Sequence, residues 1–172
     1  ACNVEPSHVD EDVIKESLLK EGATSEMISK NLAELKANRV SIKIPDELVL
    51  GADSVIDLQG QILSKPKSRS EALEILIKMN GKSHFLISSV CISKSGRMIW
   101  NYTDKAELIM KDFKETDLNN YLSKISDKNL FNYNVYQIEG EGRNLFSEIK
   151  GDKNTIMGLP INKIKNYLME PK

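Results

Sequence analysis

Apolar residues recur every three or four positions in two stretches near the start of the chain. From Val9 to Lys20, Val13, Ile14 and Leu18 fall at helical spacing behind Asp10, a candidate N-cap, with acidic residues in the first turn. Thr24 to Val40, TSEMISKNLAELKANRV, is the clearer helix. Thr24 or Ser25 can cap it, Met27, Ile28, Leu32, Leu35 and Val40 form one stripe, and Pro45 closes the element. The period then drops to two. ELVLGADSVIDLQGQILSKP reads as a strand, a turn at Gln59-Gly60 and a short returning strand stopped by Pro66. Ser68 to Met79 is a capped helix with Ala72, Leu73, Leu76 and Met79 inward. His84 to Ser93 and Met98 to Met110 make a long hairpin around Ser95-Gly96. Thr116 opens a helix to Leu122, an Asn- and Lys-rich loop follows, and YQIEGEGRNLF is a turn punctuated by glycine. Pro160 to Leu168 is a terminal helix. Strands alternate with helices but also form hairpins, which predicts an α/β domain with a mixed, twisted sheet flanked by helices.

Composition narrows the classes of function. At 172 residues the chain fits one domain and can bury a full core. A net charge of -1, with both signs interspersed, gives no basic field for holding nucleic acid or an anionic membrane. No apolar run is long enough to cross a bilayer, and no charged-then-apolar leader opens the sequence. Cys2 and Cys91 support neither a disulfide framework nor a metal site built on cysteine. The expectation is a soluble, cytoplasmic domain without nucleic-acid or membrane partners. Trp100 and the tyrosines are scattered rather than arranged as a stacking platform, and no phosphate-loop or dinucleotide motif is present. His84 opens an apolar strand and reads as a hydrogen-bonded structural histidine. No Ser or Cys nucleophile has a plausible His-acid pair.

Four polar features stand out. Asp53 interrupts the β-branched run VLGADSVI, where a buried carboxylate must be paired, bound to a metal or used in chemistry; a structural hydrogen-bonding role is an equal alternative. Its small neighbours Gly51 and Ala52 suggest room for a bulky group. The acidic group Asp10-Glu11-Asp12 reads first as simple helix capping, with a functional role as the alternative. Lys65, in LSKP, is either a solvated loop lysine or a cation beside Asp53, as phosphate chemistry needs. The turn EGEGRNLF lets backbone approach a ligand, although a lone Gly-x-Gly is more often only a turn.

An ordered series of segments resembles the Maf family of nucleotide pyrophosphatases, once described as septum-formation inhibitors. It runs VDED at Val9 to Asp12, LAELKA at Leu32 to Ala37, GADSV at Gly51 to Val55 and ILSKP at Ile62 to Pro66. It continues through the Glu71 to His84 segment, YQIEGEG at Tyr136 to Gly142, and IKGDKNTIMGLP at Ile149 to Pro160. The resemblance implies a single domain over 1–172, a fold similar to the inosine triphosphatase superfamily, and two lobes around a central cleft. It implies hydrolysis of a nucleoside triphosphate between the α and β phosphates, giving a monophosphate and pyrophosphate, with Mg²⁺ or Mn²⁺. On the family pattern the catalytic proton acceptor falls on Asp53, which would also hold the metal together with Glu11. Lys36 and Lys65 would neutralise the leaving pyrophosphate, and Glu139 falls on the polar position of the YxIxG turn, against the substrate. By analogy alone a homodimer is expected.

Some positions depart from the pattern. The family's opening strand and its Ser-x-Ser-x-x-Arg phosphate loop have no counterpart in the given sequence, and the expectation is that the natural chain carries them before Ala1. Many members have Gln where Glu139 stands. Glu139 with the following GxGxxLF is similar to the branch that prefers 7-methyl-GTP, since a carboxylate accepts hydrogen bonds from guanine and favours a cationic base. Ser54 is closer to the Thr of the pyrimidine branch, so the two positions point apart. Ser88 and Ser89 replace a usual Thr-Gly pair, and Lys111 stands where Arg is frequent. The alternative to an enzyme is a non-catalytic nucleotide-binding protein that regulates division and septum formation.

Overall fold

A computed structural model describes residues 2–170. Helix α1 (Glu11–Lys20) and helix α2 (Ser25–Ser41) start where the caps predict. Asp10 accepts from the Val13 amide at 3.3 Å and Thr24, rather than Ser25, accepts from the Met27 amide at 3.2 Å. Strands β1 (Val49–Leu58) and β2 (Gln61–Leu63) pair antiparallel with Ile56 opposite Leu63. Helix α3 (Arg69–Met79) is capped by Ser68. Strands β3 (Ser83–Lys94) and β4 (Arg97–Met110) form the long hairpin. Both hairpin turns carry positive φ at both central residues, Gln59 and Gly60, then Ser95 and Gly96. That is the two-residue type I′ geometry whose twist matches the flanking strands.

Helices α4 (Glu115–Ser123) and α5 (Asp127–Tyr133) follow, then a 3₁₀ turn at Glu141–Leu145 and strand β5 (Phe146–Lys150). Helices α6 (Lys153–Ile156) and α7 (Ile161–Met169) close the chain. The five strands form one sheet in the order β2-β1-β3-β4-β5, and β5 runs antiparallel to β4. The α/β class and the helix-flanked sheet agree with the sequence reading. Among the described residues no helix is long and apolar enough to cross a membrane.

Four local expectations change. The Asn- and Lys-rich loop contains α5, because Ser126 caps the Asn129 amide and Leu130 is fully buried. The Gly-punctuated segment continues into an edge strand, β5. Met27 and Leu35 are exposed while Ser25, Ser29, Ala33, Ala37 and Ser41 are buried, so α2 packs along a row of small side chains. In α3, Ile75 takes the buried position expected for Leu73.

The chain divides into two compact units. The first holds the described residues up to Val55, Ile87–Lys105, and those from Asp152 onward. Ile28, Leu32 and Val55 are buried in it; Ala33 and Ala37 of α2 cluster with Cys91, while Val90 and Ile92 cluster with Ile164. Trp100, Tyr102 and Tyr167, far apart in the sequence, stack here: Trp100 lies 4.9 Å from Tyr167 and 6.4 Å from Tyr102 between ring centroids. They pack on Val90, Ile92 and Ile164. The second unit comprises Ile56–Leu86 and Ala106–Gly151. Inside it His84 is 1% exposed, hydrogen-bonded through Nε2 to the Tyr136 hydroxyl at 2.8 Å and packed against the Phe146 ring. Burial lowers its pKa to about 4, so it is neutral, in the structural role predicted for it.

Candidate functional site

Two carboxylates from different elements of the first unit converge on one ammonium group. Lys36 Nζ, on α2, donates to Glu11 Oε1 of α1 at 2.7 Å and to Asp53 Oδ1 of β1 at 2.8 Å. A third, longer contact of 3.5 Å reaches the Ala52 carbonyl. The Asp53 side chain is 4% exposed, and its other oxygen, Oδ2, is buried without a hydrogen-bond partner.

Gly51 sets this geometry. A Cβ there would stand 2.4 Å from the Ala33 carbonyl oxygen and 2.8 Å from the Ala37 amide nitrogen. The bulky group that Gly51 admits is therefore helix α2 itself, whose backbone fills the space on that side of the strand. Ala52, on the opposite face of the strand, packs on the Val90, Ile92 and Ile164 cluster. The close approach brings Lys36, three residues beyond Ala33, within reach of Asp53. Ser29, one turn earlier, ties the seam with its hydroxyl, donating to the Asp53 carbonyl at 3.1 Å and the Ile87 carbonyl at 3.4 Å.

Electrostatics follow from burial. Desolvation raises the Asp53 pKa, and the adjacent Lys36 ammonium offsets part of that rise. For Lys36, burial works against the charged form, but the Asp53 and Glu11 carboxylates outweigh it and its pKa is raised. A carboxylate with an elevated pKa and one unsatisfied oxygen is suited to taking a proton. Among the described residues no three His, Cys, Asp or Glu side chains gather into a metal cage. A hard divalent cation that keeps waters and takes phosphate oxygens needs only one or two carboxylates. Glu11 and Asp53, with the orphaned Oδ2, fit that requirement.

On the other side of β1, Ser54 is bonded to the buried Ser88 at 2.8 Å, and Ser88 donates to the Thr155 carbonyl. Thr155 Oγ1 donates to Asp104 at 2.8 Å, while Asp152 caps the Asn154 and Thr155 amides. Ser88, the first serine of the Ser88-Ser89 departure, thus ties the GDKNT turn to Ser54.

Lys65 and Glu139 belong to the second unit, and both are exposed. The turn bearing Glu139 is braced on both sides. Tyr121 donates to the Val135 carbonyl at 2.7 Å, and His84 holds Tyr136. Gly142 backs onto this turn, where a Cβ would meet the Gln137 carbonyl oxygen at 2.6 Å. Lys111 donates to the Asn144 carbonyl at 3.0 Å.

The Maf-like protein family model matches residues 1–171. The chain belongs to the Maf-like family. It is similar at 71% identity over 165 residues to the nucleoside triphosphate pyrophosphatase of Pelagibacter ubique (strain HTCC1062), covering 96% of this chain and 85% of that one. A nucleoside triphosphate pyrophosphatase of Ruegeria sp. (strain TM1040) is 38% identical over 96% of this chain and 83% of its own. One from Paramagnetospirillum magneticum is 36% identical over 99% and 88%.

The sequence reading of this Maf-like chain missed Ser29 and the packing role of Gly51. A signal was present: Ser25, Ser29, Ala33, Ala37 and Ser41 repeat a small residue every fourth position along α2. That row marks a helix face built for close approach.

Proposed function

We propose that this Maf-like chain is a metal-dependent nucleoside triphosphate pyrophosphatase acting in the cytoplasm. The observation that carries the reading is the Lys36 ammonium bridging Glu11 and Asp53, with Asp53 Oδ2 left buried and unpaired. Asp53 Oδ2 accepts a proton from water as the water oxygen bonds to the α-phosphorus. The bond from that phosphorus to the bridging oxygen breaks, and the electron pair leaves on pyrophosphate with the nucleoside monophosphate as co-product. Asp53 and Glu11 would hold Mg²⁺ or Mn²⁺, which when bound neutralises phosphate charge as a Lewis acid. Lys36 holds both carboxylates aimed and favours the ionised form of Asp53. Lys65 would bind the phosphates, and Glu139 would face the base. Most of the work is positioning and charge stabilisation, as phosphoryl chemistry generally requires. The substrates favoured are non-standard, methylated or pyrimidine nucleotides, with Glu139 supporting a 7-methylguanine base and Ser54 a pyrimidine.

The test is pyrophosphate release from dTTP, UTP, CTP and 7-methyl-GTP with each metal. It uses the chain together with whatever residues precede Ala1 in its natural context, as wild type and as Asp53→Asn. Turnover that drops by on the order of 100-fold or more in the variant supports the reading. Nucleotide binding without turnover in the wild type overturns it in favour of a non-catalytic binding protein.

A further inference from the structure

Helix α1 buries a charge. Its one buried residue is Lys15, whereas Val13 and Leu19 of the same helix are exposed. Glu11 and Lys15, one turn apart, share its inner face with the half-buried Ile14 and Leu18. An ammonium is costly to bury, and a helix packing for stability alone would carry an apolar side chain at the position of Lys15.

Attraction to the carboxylates repays only part of that cost. Lys15 Nζ lies 3.9 Å from Glu11 Oε2, within ion-pair reach but too far for a hydrogen bond. Glu11 is already bonded through Oε1 to Lys36. Lys36, in turn, spends its three donors on Glu11, Asp53 and the Ala52 carbonyl. Of the two lysines in this cluster, Lys36 is saturated by the protein and Lys15 is not. The field of Lys15 nevertheless reaches the centre, because it helps to hold down the Asp53 pKa.

We propose that Lys15 is a further substrate-binding residue of this site, donating to the oxygens of the pyrophosphate leaving group of a nucleoside triphosphate. The proposal rests on the hydrolase reading above and assigns a group to it that the motif series did not supply. The two carboxylates outnumber Lys36 by one charge, so a polyanion arriving here would be repelled without a second lysine. Lys15 brings the cluster to neutrality, and it is held on a helix with its side chain largely out of water. As the bond to the α-phosphorus breaks, negative charge grows on the departing oxygens and the interaction strengthens.

The experiment compares wild type, Lys15→Met and Lys15→Arg in the full natural chain. It measures kcat and KM with the best nucleotide, thermal unfolding, and calorimetric binding of inorganic pyrophosphate with Mg²⁺. Lys15→Met should unfold within a few degrees of wild type, bind pyrophosphate on the order of 10-fold more weakly and lose on the order of 100-fold in kcat/KM. Lys15→Arg should recover most of both. If the methionine variant does not fold, Lys15→Gln carries the same comparison. A folded variant with unchanged pyrophosphate affinity overturns the proposal, whether or not turnover falls, and so does a wild type that binds no pyrophosphate. A wild type that hydrolyses no nucleotide, yet binds pyrophosphate through Lys15, sinks the hydrolase reading and keeps the site.

Discussion

Gly51 lies so close to Ala33 that a Cβ on the glycine would stand 2.4 Å from the Ala33 carbonyl oxygen, nearer than any real Cβ contact. The obstacle is backbone and cannot swing away. Gly51→Ala should therefore push α2 from β1, costing about 1–3 kcal/mol by overpacking. Because Lys36 and Asp53 sit on the two elements being separated, pyrophosphate release should fall further than the loss of folded protein explains. Urea unfolding and an activity assay on the same samples check this.

Ser29→Ala removes the hydroxyl shared by the Asp53 and Ile87 carbonyls. About 1 kcal/mol of stability should be lost. As Ser29 acts through the backbone of Asp53 and touches no substrate, kcat should fall several-fold with KM little changed. An unaltered kcat would assign the residue to stability alone.

Lys36→Met strands two carboxylates. The folded pKa of Asp53 is already raised by burial, so its contribution favours the fold at low pH and is lost as pH rises through the folded value. Without Lys36 the attraction limiting that loss is gone. The variant should be close to wild type near pH 4 and less stable by about 3 kcal/mol at pH 8, as expected for breaking a buried pair. Denaturant titrations at the two pH values read the difference.

His84 gives the opposite slope. Below its ordinary 6.5 the unfolded histidine takes a proton that the folded one refuses until about 4. Stability should fall by about 3 kcal/mol as pH drops across that window. His84→Gln keeps a partner for the Tyr136 hydroxyl but cannot titrate. Its thermal stability should be lower at pH 7 and flatter between pH 6.5 and 4.

The sequence announced elements that advertise themselves locally. Asp10, Thr24 and Ser68 cap where they were expected, and Gln59-Gly60 and Ser95-Gly96 turn with the left-handed backbone such pairs permit. The order of the family motifs pointed to Glu11, Lys36 and Asp53, which meet within hydrogen-bond distance. What stayed hidden depends on tertiary partners. Apolar periodicity put Met27 and Leu35 inside, but α2 buries serines and alanines because Gly51 admits its backbone. Hydropathy put Val13 inside, but α1 turns Lys15 toward the carboxylates. Stacking of Trp100 on Tyr167 joins a strand to a helix and leaves no trace in spacing.

The charged inner face of α1 also bears on how that helix is fastened. Ile14 and Leu18 are only half-buried, and the Glu11–Lys36 ion pair ties the helix to α2. At 2.7 Å and largely out of water, that pair sits well inside the screening length of about 8 Å at physiological ionic strength, so ordinary salt weakens it little. With its apolar residues only half-covered, α1 should still open more readily than α2, and its amides should exchange with deuterium ahead of those in α2. Such an opening withdraws Glu11 from its partners while the sheet stays folded, so the site can come apart without the protein unfolding.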